Sequence, residues 1–231
     1  MKEQKGKILF VVTSHSQMGN TDEKTGYHLA EVSHPWKVLH DAGYEIDFVS
    51  PKGGHAPVTE FDLSDEINSE FWHNKKYRNR IEETYKPSQI KSSDYKAIFF
   101  AGGHGTVWDF PENKELQKIA ATIYENGGIV SSICHGAAAL INLKLSDGSY
   151  LIDGKDINSF TNEEEKAAGK EGVVPFLVES KLRERGANFH YAPNYEAKVV
   201  VDGRLITGQN PASAISLGET LKRELKEVEV M

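Results

Sequence analysis

The stretch GGIVSSICHGAAAL, residues 127–140, carries the only cysteine of the chain, Cys134, with His135 beside it. A short apolar run leads into the thiol, and glycine and small helix formers follow at once. That pattern predicts a sharp strand-to-helix turn with the sulfur at a helix N-terminus, where unpaired amides and the helix dipole favour an anion. Such a thiol is expected to ionise below the ~8.5 of a free cysteine, and a thiolate is the form that attacks carbon. The other reading of a free cysteine is a packed, inert small hydrophobe. His135 is a candidate base if the turn is sharp enough to bring adjacent side chains together. Otherwise it serves as a cap or a satisfied histidine. AGGHG, residues 101–105, also follows an apolar run. Its glycines could let a backbone amide approach a substrate oxygen, although a glycine pair also makes a plain turn.

Positioning these groups requires an alternation of strands and helices. KILFVVTS (7–14), YEIDFVS (44–50), the run into AGGHG (95–105), GIVSSI (128–133) and ANFHYA (187–192) read as strands. Residues 198–208 read as a hairpin turned at Asp202-Gly203. Helices are expected over 27–42, with Pro35 bending it or dividing off its first turn, and over 112–126, from Cys134 onward and over 173–185. A last helix starts near Asn210 as cap and Pro211 at its first position. Near-continuously apolar strands alternating with helices predict an α/β fold with a mostly parallel sheet covered on both faces. In such sheets ligands bind outside the carboxyl ends of the strands. TSHSQ (13–17), AGGHG and SSICHG would therefore share one crevice. One domain over 1–231 is expected. Residues 55–90 read as an insertion or cap with a short helix near SDEINSEFW.

Hydrophobic residues make up 39% of the chain and charged ones 26%, as in ordinary globular proteins. A formal charge of −7 argues against nucleic-acid binding, which needs cations along phosphates. NKKYRNR (74–80) is a brief basic run that reads as a solvated face. The apolar part of MKEQKGKILFVV is too short for a signal peptide and runs into polar residues, and no stretch suits a membrane span. With one cysteine an internal disulfide is impossible, so the expected setting is cytoplasmic.

ILFVVTS, KTGYHLAEVSHPW, AGGHGTVWDFP, NGGIVSSICHGAAAL and LITGQNPASA, in that order along the chain, resemble the DJ-1/PfpI superfamily, and within it the Hsp31-like branch of glutathione-independent glyoxalases and chaperones. The resemblance implies a flavodoxin-like, doubly wound core of the class I glutamine amidotransferase type. It also implies a Cys-His-acid triad and a glutamate from the first helix. Cys134 and His135 match the nucleophile and its histidine, and Glu31 matches the glutamate that hydrogen-bonds the sulfur. Alignment on Phe160-Thr161 selects Glu165 as the triad acid, with Glu163 and Glu164 as the adjacent alternatives. Without that alignment NEEEK (162–166) reads as a solvated charge run. Gly103 and His104 match substrate-binding positions, and Ala137 stands where relatives commonly carry proline. Bacterial members suggest a zinc-type site, which His40, Glu45 and His73 would form here.

The activity implied is conversion of methylglyoxal and related α-oxoaldehydes to 2-hydroxy acids through a cysteine hemithioacetal, with no cofactor needed for catalysis. Removal of early glycation adducts from proteins would be the same chemistry on a larger substrate. The competing classes are a holdase chaperone acting on unfolded proteins, a cysteine hydrolase and a redox sensor. The resemblance further implies a homodimer.

Overall fold

A computed structural model describes residues 5–230. β1 (Lys7–Val11) leads, through a loop, to the two-residue strand β2 (Tyr27–His28) and directly into α1 (Leu29–Asp41). β3 (Glu45–Val49) follows, then β4 (Val58–Thr59), which pairs in parallel with β2. α2 (Glu66–His73) and α3 (Lys75–Glu82) come next, then β5 (Tyr95–Phe100), α4 (Thr106–Asp109), α5 (Lys114–Glu125) and β6 (Ile129–Ile133). Beyond β6 the chain winds as a 3₁₀ helix over Cys134–Leu140. β7 (Asp156–Ile157), α6 (Asn162–Ala167), α7 (Val178–Glu184) and β8 (Asn188–Phe189) precede the hairpin β9 (Val199–Asp202) and β10 (Leu205–Gly208). α8 (Ala214–Val230) closes the described chain.

The main sheet has the order β3-β1-β5-β6-β10-β9, parallel throughout except for the pair β10–β9. After β1 the chain first adds β3 on one side and then β5 on the other. The carboxyl ends of β1 and β5 therefore flank the point where the winding reverses, and a crevice opens there. Alternation along β1 supplies both cores: Ile8 and Phe10 face Trp36 and Leu39 of α1 and Leu217 and Leu221 of α8. Leu9 and Val11 face Leu116, Ile119 and Ile123 of α5 and the small residues of 137–139. Each such side chain contributes about 1.5–3 kcal/mol by leaving water. α8 approaches α1 closely because residue 218 is glycine: a Cβ there would lie 3.0 Å from Pro35 Cα.

Several expectations needed correction. Residues 27–28 are extended, and α1 runs through Pro35 without being divided there. Having no N–H, Pro35 leaves the Glu31 carbonyl without its usual helical donor. The helix expected over 173–185 begins only at Val178, since Pro175 disfavours the helical region for the residue before it. The strand expected over 187–192 shrinks to Asn188–Phe189, which pairs with β7 outside the main sheet. Residues 55–90 are more regular than their polarity suggested. Asp65 caps α2 by accepting from the Ile67 and Asn68 amides, and Asn74 caps α3. Trp36 of α1 receives both helices edge-on, through Phe71 at 5.1 Å and Tyr77 at 5.4 Å. Among the described residues, no helix is long and apolar enough to cross a membrane.

Candidate active site

Cys134 follows β6 directly and takes a φ of 56°, a left-handed backbone that a residue with a Cβ adopts at a cost. Gly136 permits this elbow, because a Cβ on it would overlap the carbonyl of Phe100. The strained turn brings two adjacent side chains together: Cys134 Sγ lies 3.3 Å from His135 Nδ1. His135 Nε2 reaches Glu165 Oε2 at 2.5 Å, completing a Cys-His-Glu array. The three side chains come from the elbow after β6 and from α6, and all are buried, at 4%, 1% and 3% exposure.

Of the three neighbouring glutamates, only Glu165 meets His135. Glu163 is exposed. Glu164 turns the other way and accepts from the Thr161 and Tyr195 amides and from the Gln209 and Asn210 side chains. The isolated reading of 162–166 as a solvated run therefore fails at two of its three acids. A signal for Glu164 was present, since Thr161 and Glu164 have capping-box spacing, and both halves of that box form.

Glu31, in the first turn of α1, is fully buried against the Cys134 sulfur and the Gly102 backbone. The Gly102 amide and the thiol both act on the carboxyl, yet neither oxygen has a hydrogen bond of good geometry. It faces the sulfur as an acid still lacking a full partner. Gly102 makes room for it, because a Cβ there would overlap Glu31 Oε2. Burial raises the Glu31 carboxyl from 4.5 to about 8, against the lowering influence of those two neighbours.

The same burial corrects the expected resting thiolate. Desolvation first, and the Glu31 carboxyl next, push the Cys134 thiol up rather than down, although the His135 amide works the other way. The sulfur thus rests as a thiol between a base and an acid. His135 is itself held down, by burial and then by His104, with Glu165 opposing. Burial also opposes ionisation of Glu165, but the two histidines outweigh it and hold that carboxyl at about 2.

A cavity of about 350 Å³ opens onto the sulfur, with Gly103, His104, His135, His28, Phe160 and Tyr195 among its walls. Gly103 has a φ of 111° and packs against Gly26 so tightly that a Cβ would overlap its carbonyl. Its amide makes no backbone hydrogen bond among the described residues. Two features, one in the cavity wall and one behind it, went unforeseen. Burial lowers His28 to about 4, with neighbouring histidines adding to the effect. Asp109, raised to about 7 by burial, accepts from Thr13 Oγ1 and the Ser14 amide, both at 2.8 Å, and ties down the turn after β1. No local pattern marks either residue.

The three proposed metal ligands are not gathered. His40 stacks on Trp36 and faces the Tyr77 hydroxyl, Glu45 is held by Lys76 and Arg80, and His73 Nδ1 bonds the Ser69 carbonyl. α1 and β3 use His40 and Glu45 to join α3, whereas His73 bonds within its own helix. Among the described residues, the grouping with three ligand-type atoms within 4.8 Å of one another is His104, His135 and Glu165. His104 was expected to touch substrate. It lines the cavity and also places Nε2 2.6 Å from Glu165 Oε1.

Chains of known standing share this architecture. The "Glyoxalase 3" of Candida albicans is 35% identical, over 92% of this chain and 95% of its own. The "Glutathione-independent glyoxalase HSP31" of Saccharomyces cerevisiae is 34% identical, over 91% and 94%. Among solved structures, the Francisella tularensis Rapid Encystment Protein superposes with a TM-score of 0.91 at 39% identity, covering 95% of this chain and 99% of that one. Glyoxalase III from Candida albicans superposes at 0.85 and 32%, covering 95% and 97%. The DJ-1/PfpI family model matches residues 24–224, which span every group described around the elbow. The chain belongs to the DJ-1/PfpI family.

Proposed function

We propose that this protein is a glutathione-independent glyoxalase that adds water across an α-oxoaldehyde such as methylglyoxal to give a 2-hydroxy acid. The observation that carries the reading is the buried Glu31 carboxyl, short of partners and set against the Cys134 sulfur at the floor of a cavity. A cysteine hydrolase needs the triad but has no use for a second acid at the sulfur. Isomerising an oxoaldehyde requires one.

In this scheme the thiol proton passes to His135 Nδ1 as sulfur bonds to the aldehyde carbon, and the carbonyl oxygen takes the Glu31 proton. The Glu31 carboxylate then removes the hydrogen from that carbon. In the resulting enediolate the hydroxyl proton moves to the neighbouring oxygen, and the oxyanion left on the first carbon faces the amides of Gly103 and His135. Glu31 returns the carbon-derived proton to the neighbouring carbon. The product of these steps is a thioester of the 2-hydroxy acid, which water cleaves. A carboxyl with a pKa of about 8 suits both duties, because it holds its proton at neutral pH and releases it at little cost.

Pure protein incubated with methylglyoxal, free of glutathione, should yield lactate, and Cys134→Ala should yield none. Undiminished methylglyoxal consumption by Cys134→Ala would sink the proposal. No cofactor enters the scheme, and the reading includes a single domain acting as a cytoplasmic homodimer.

A further inference from the structure

Glu165 serves two histidines at once. Oε2 receives His135 Nε2 and Oε1 receives His104 Nε2, and the rings lie against each other with centroids 4.0 Å apart. With each Nε2–H donated to the carboxylate, both Nδ1 atoms are left as acceptors. That of His135 is committed to the sulfur at 3.3 Å. That of His104 has no protein partner among the described residues, and it is not among the buried polar atoms cut off from one. The His104 side chain lines the cavity and is 20% exposed, whereas His135 and Glu165 are sealed.

On the glyoxalase reading, the thioester stage leaves His135 carrying the proton it took from the thiol. It must return that proton to sulfur as the carbon–sulfur bond breaks, and so it cannot also take one from water. Glu31, left a carboxylate at this stage, is fully buried and must itself recover a proton, whereas His104 lines the cavity. Hydrolysis nevertheless removes a proton from water and releases one overall, since oxoaldehyde and water become a carboxylate and H⁺.

We infer that His104 is a second catalytic base, which activates the water that cleaves the thioester and passes its proton to solvent. Water loses a proton to His104 Nδ1 as its oxygen bonds to the thioester carbon. The carbon–sulfur bond then breaks and sulfur takes the His135 proton. The Glu31 carboxylate recovers its proton from the newly formed carboxylic acid, and the product leaves as a carboxylate. Glu165 orients both bases, one for each half of the reaction. This inference rests on the glyoxalase reading, and its test separates the two.

The test compares wild type with His104→Gln, which keeps a donor for Glu165 but has no ring base, and with His104→Phe. Quenched samples are weighed by mass spectrometry for protein carrying one lactoyl group, and lactate is measured at steady state. The first turnover should survive in His104→Gln, the acyl-enzyme should accumulate, and steady-state turnover should fall roughly 10²-fold or more. Hydroxylamine, which attacks a thioester without a base, should release the trapped acyl group as its hydroxamate when added after free methylglyoxal has been removed. Equal loss of acylation and hydrolysis in His104→Gln would reduce His104 to a positioning residue and overturn the inference. So would full steady-state activity in both variants. If wild type forms neither lactate nor acyl-enzyme, the glyoxalase reading itself fails, a result visible without any variant.

Discussion

Glu31 and Cys134 share a buried space in which charge is costly, and the consequence can be measured apart from catalysis. Folded Glu31 keeps its proton up to about pH 8, whereas the unfolded chain loses it near 4.5. Between those values the native state binds the extra proton, so its stability falls as pH rises, by at most ~1.4 kcal/mol per pH unit for this group. Below 4.5 both states are protonated and the penalty vanishes. Glu31→Gln should therefore gain little thermal stability near pH 5 and progressively more toward pH 8, at about 2–4 °C per kcal/mol. A melting-temperature difference that is flat with pH would place the carboxyl in a more solvated setting. Motif spacing made Cys134 and His135 legible before any coordinates, and the family resemblance singled out Glu31. The direction of the thiol's shift was not legible, because a helix-terminus argument sees only neighbours along the chain. Burial comes from the whole core around the sulfur, and the Glu31 carboxyl comes from α1, distant in sequence. His40, Glu45 and His73 are not brought together: Trp36 and Ser69, one turn back on the same helices, engage the two histidines. The Lys76 and Arg80 that hold Glu45 come from α3, which spacing around Glu45 does not show.

The elements that position the site do so through missing side chains as much as present ones. Gly102 separates the Glu31 carboxyl from the elbow, and a Cβ there would also come within 2.8 Å of the Ile133 carbonyl and 2.9 Å of Cys134 Cβ. Gly102→Ala should thus lose most of its activity and about 1–3 kcal/mol of stability through overpacking. Gly172→Ala, where nothing lies within 4 Å of the new methyl, should change neither. Lactate formation and chemical denaturation of both variants decide this. The main strands and their order-giving helices were readable from apolar runs and breakers, since local patterning governs them. Short elements were not. β2, β4, β7 and β8 have two residues each and exist only through a partner supplied from elsewhere.

Across the whole molecule, Glu164 ties α6 to the loop at Tyr195 and to the strand end at Gln209-Asn210. Removing it strands several buried donors, each costing about 1–3 kcal/mol. Glu164→Ala should lose about 2–4 kcal/mol of stability with activity falling in step, because α6 also carries Glu165. Glu163→Ala, on the exposed side of the same turn, should leave both unchanged. Equal denaturant midpoints for the two variants would deny Glu164 this role. The contact of α8 with α1 at Gly218 reaches further than packing. α1 carries Glu31 one turn before Pro35, and the backbone at Pro35 is what α8 rests against. During synthesis, a nascent polypeptide that has emerged through β10 already owns the thiol, both histidines and Glu165, yet the brace behind its proton shuttle has not been made. Such a chain would be chemically armed at sulfur and idle as an isomerase until its final helix docks, so that turnover marks completion of folding.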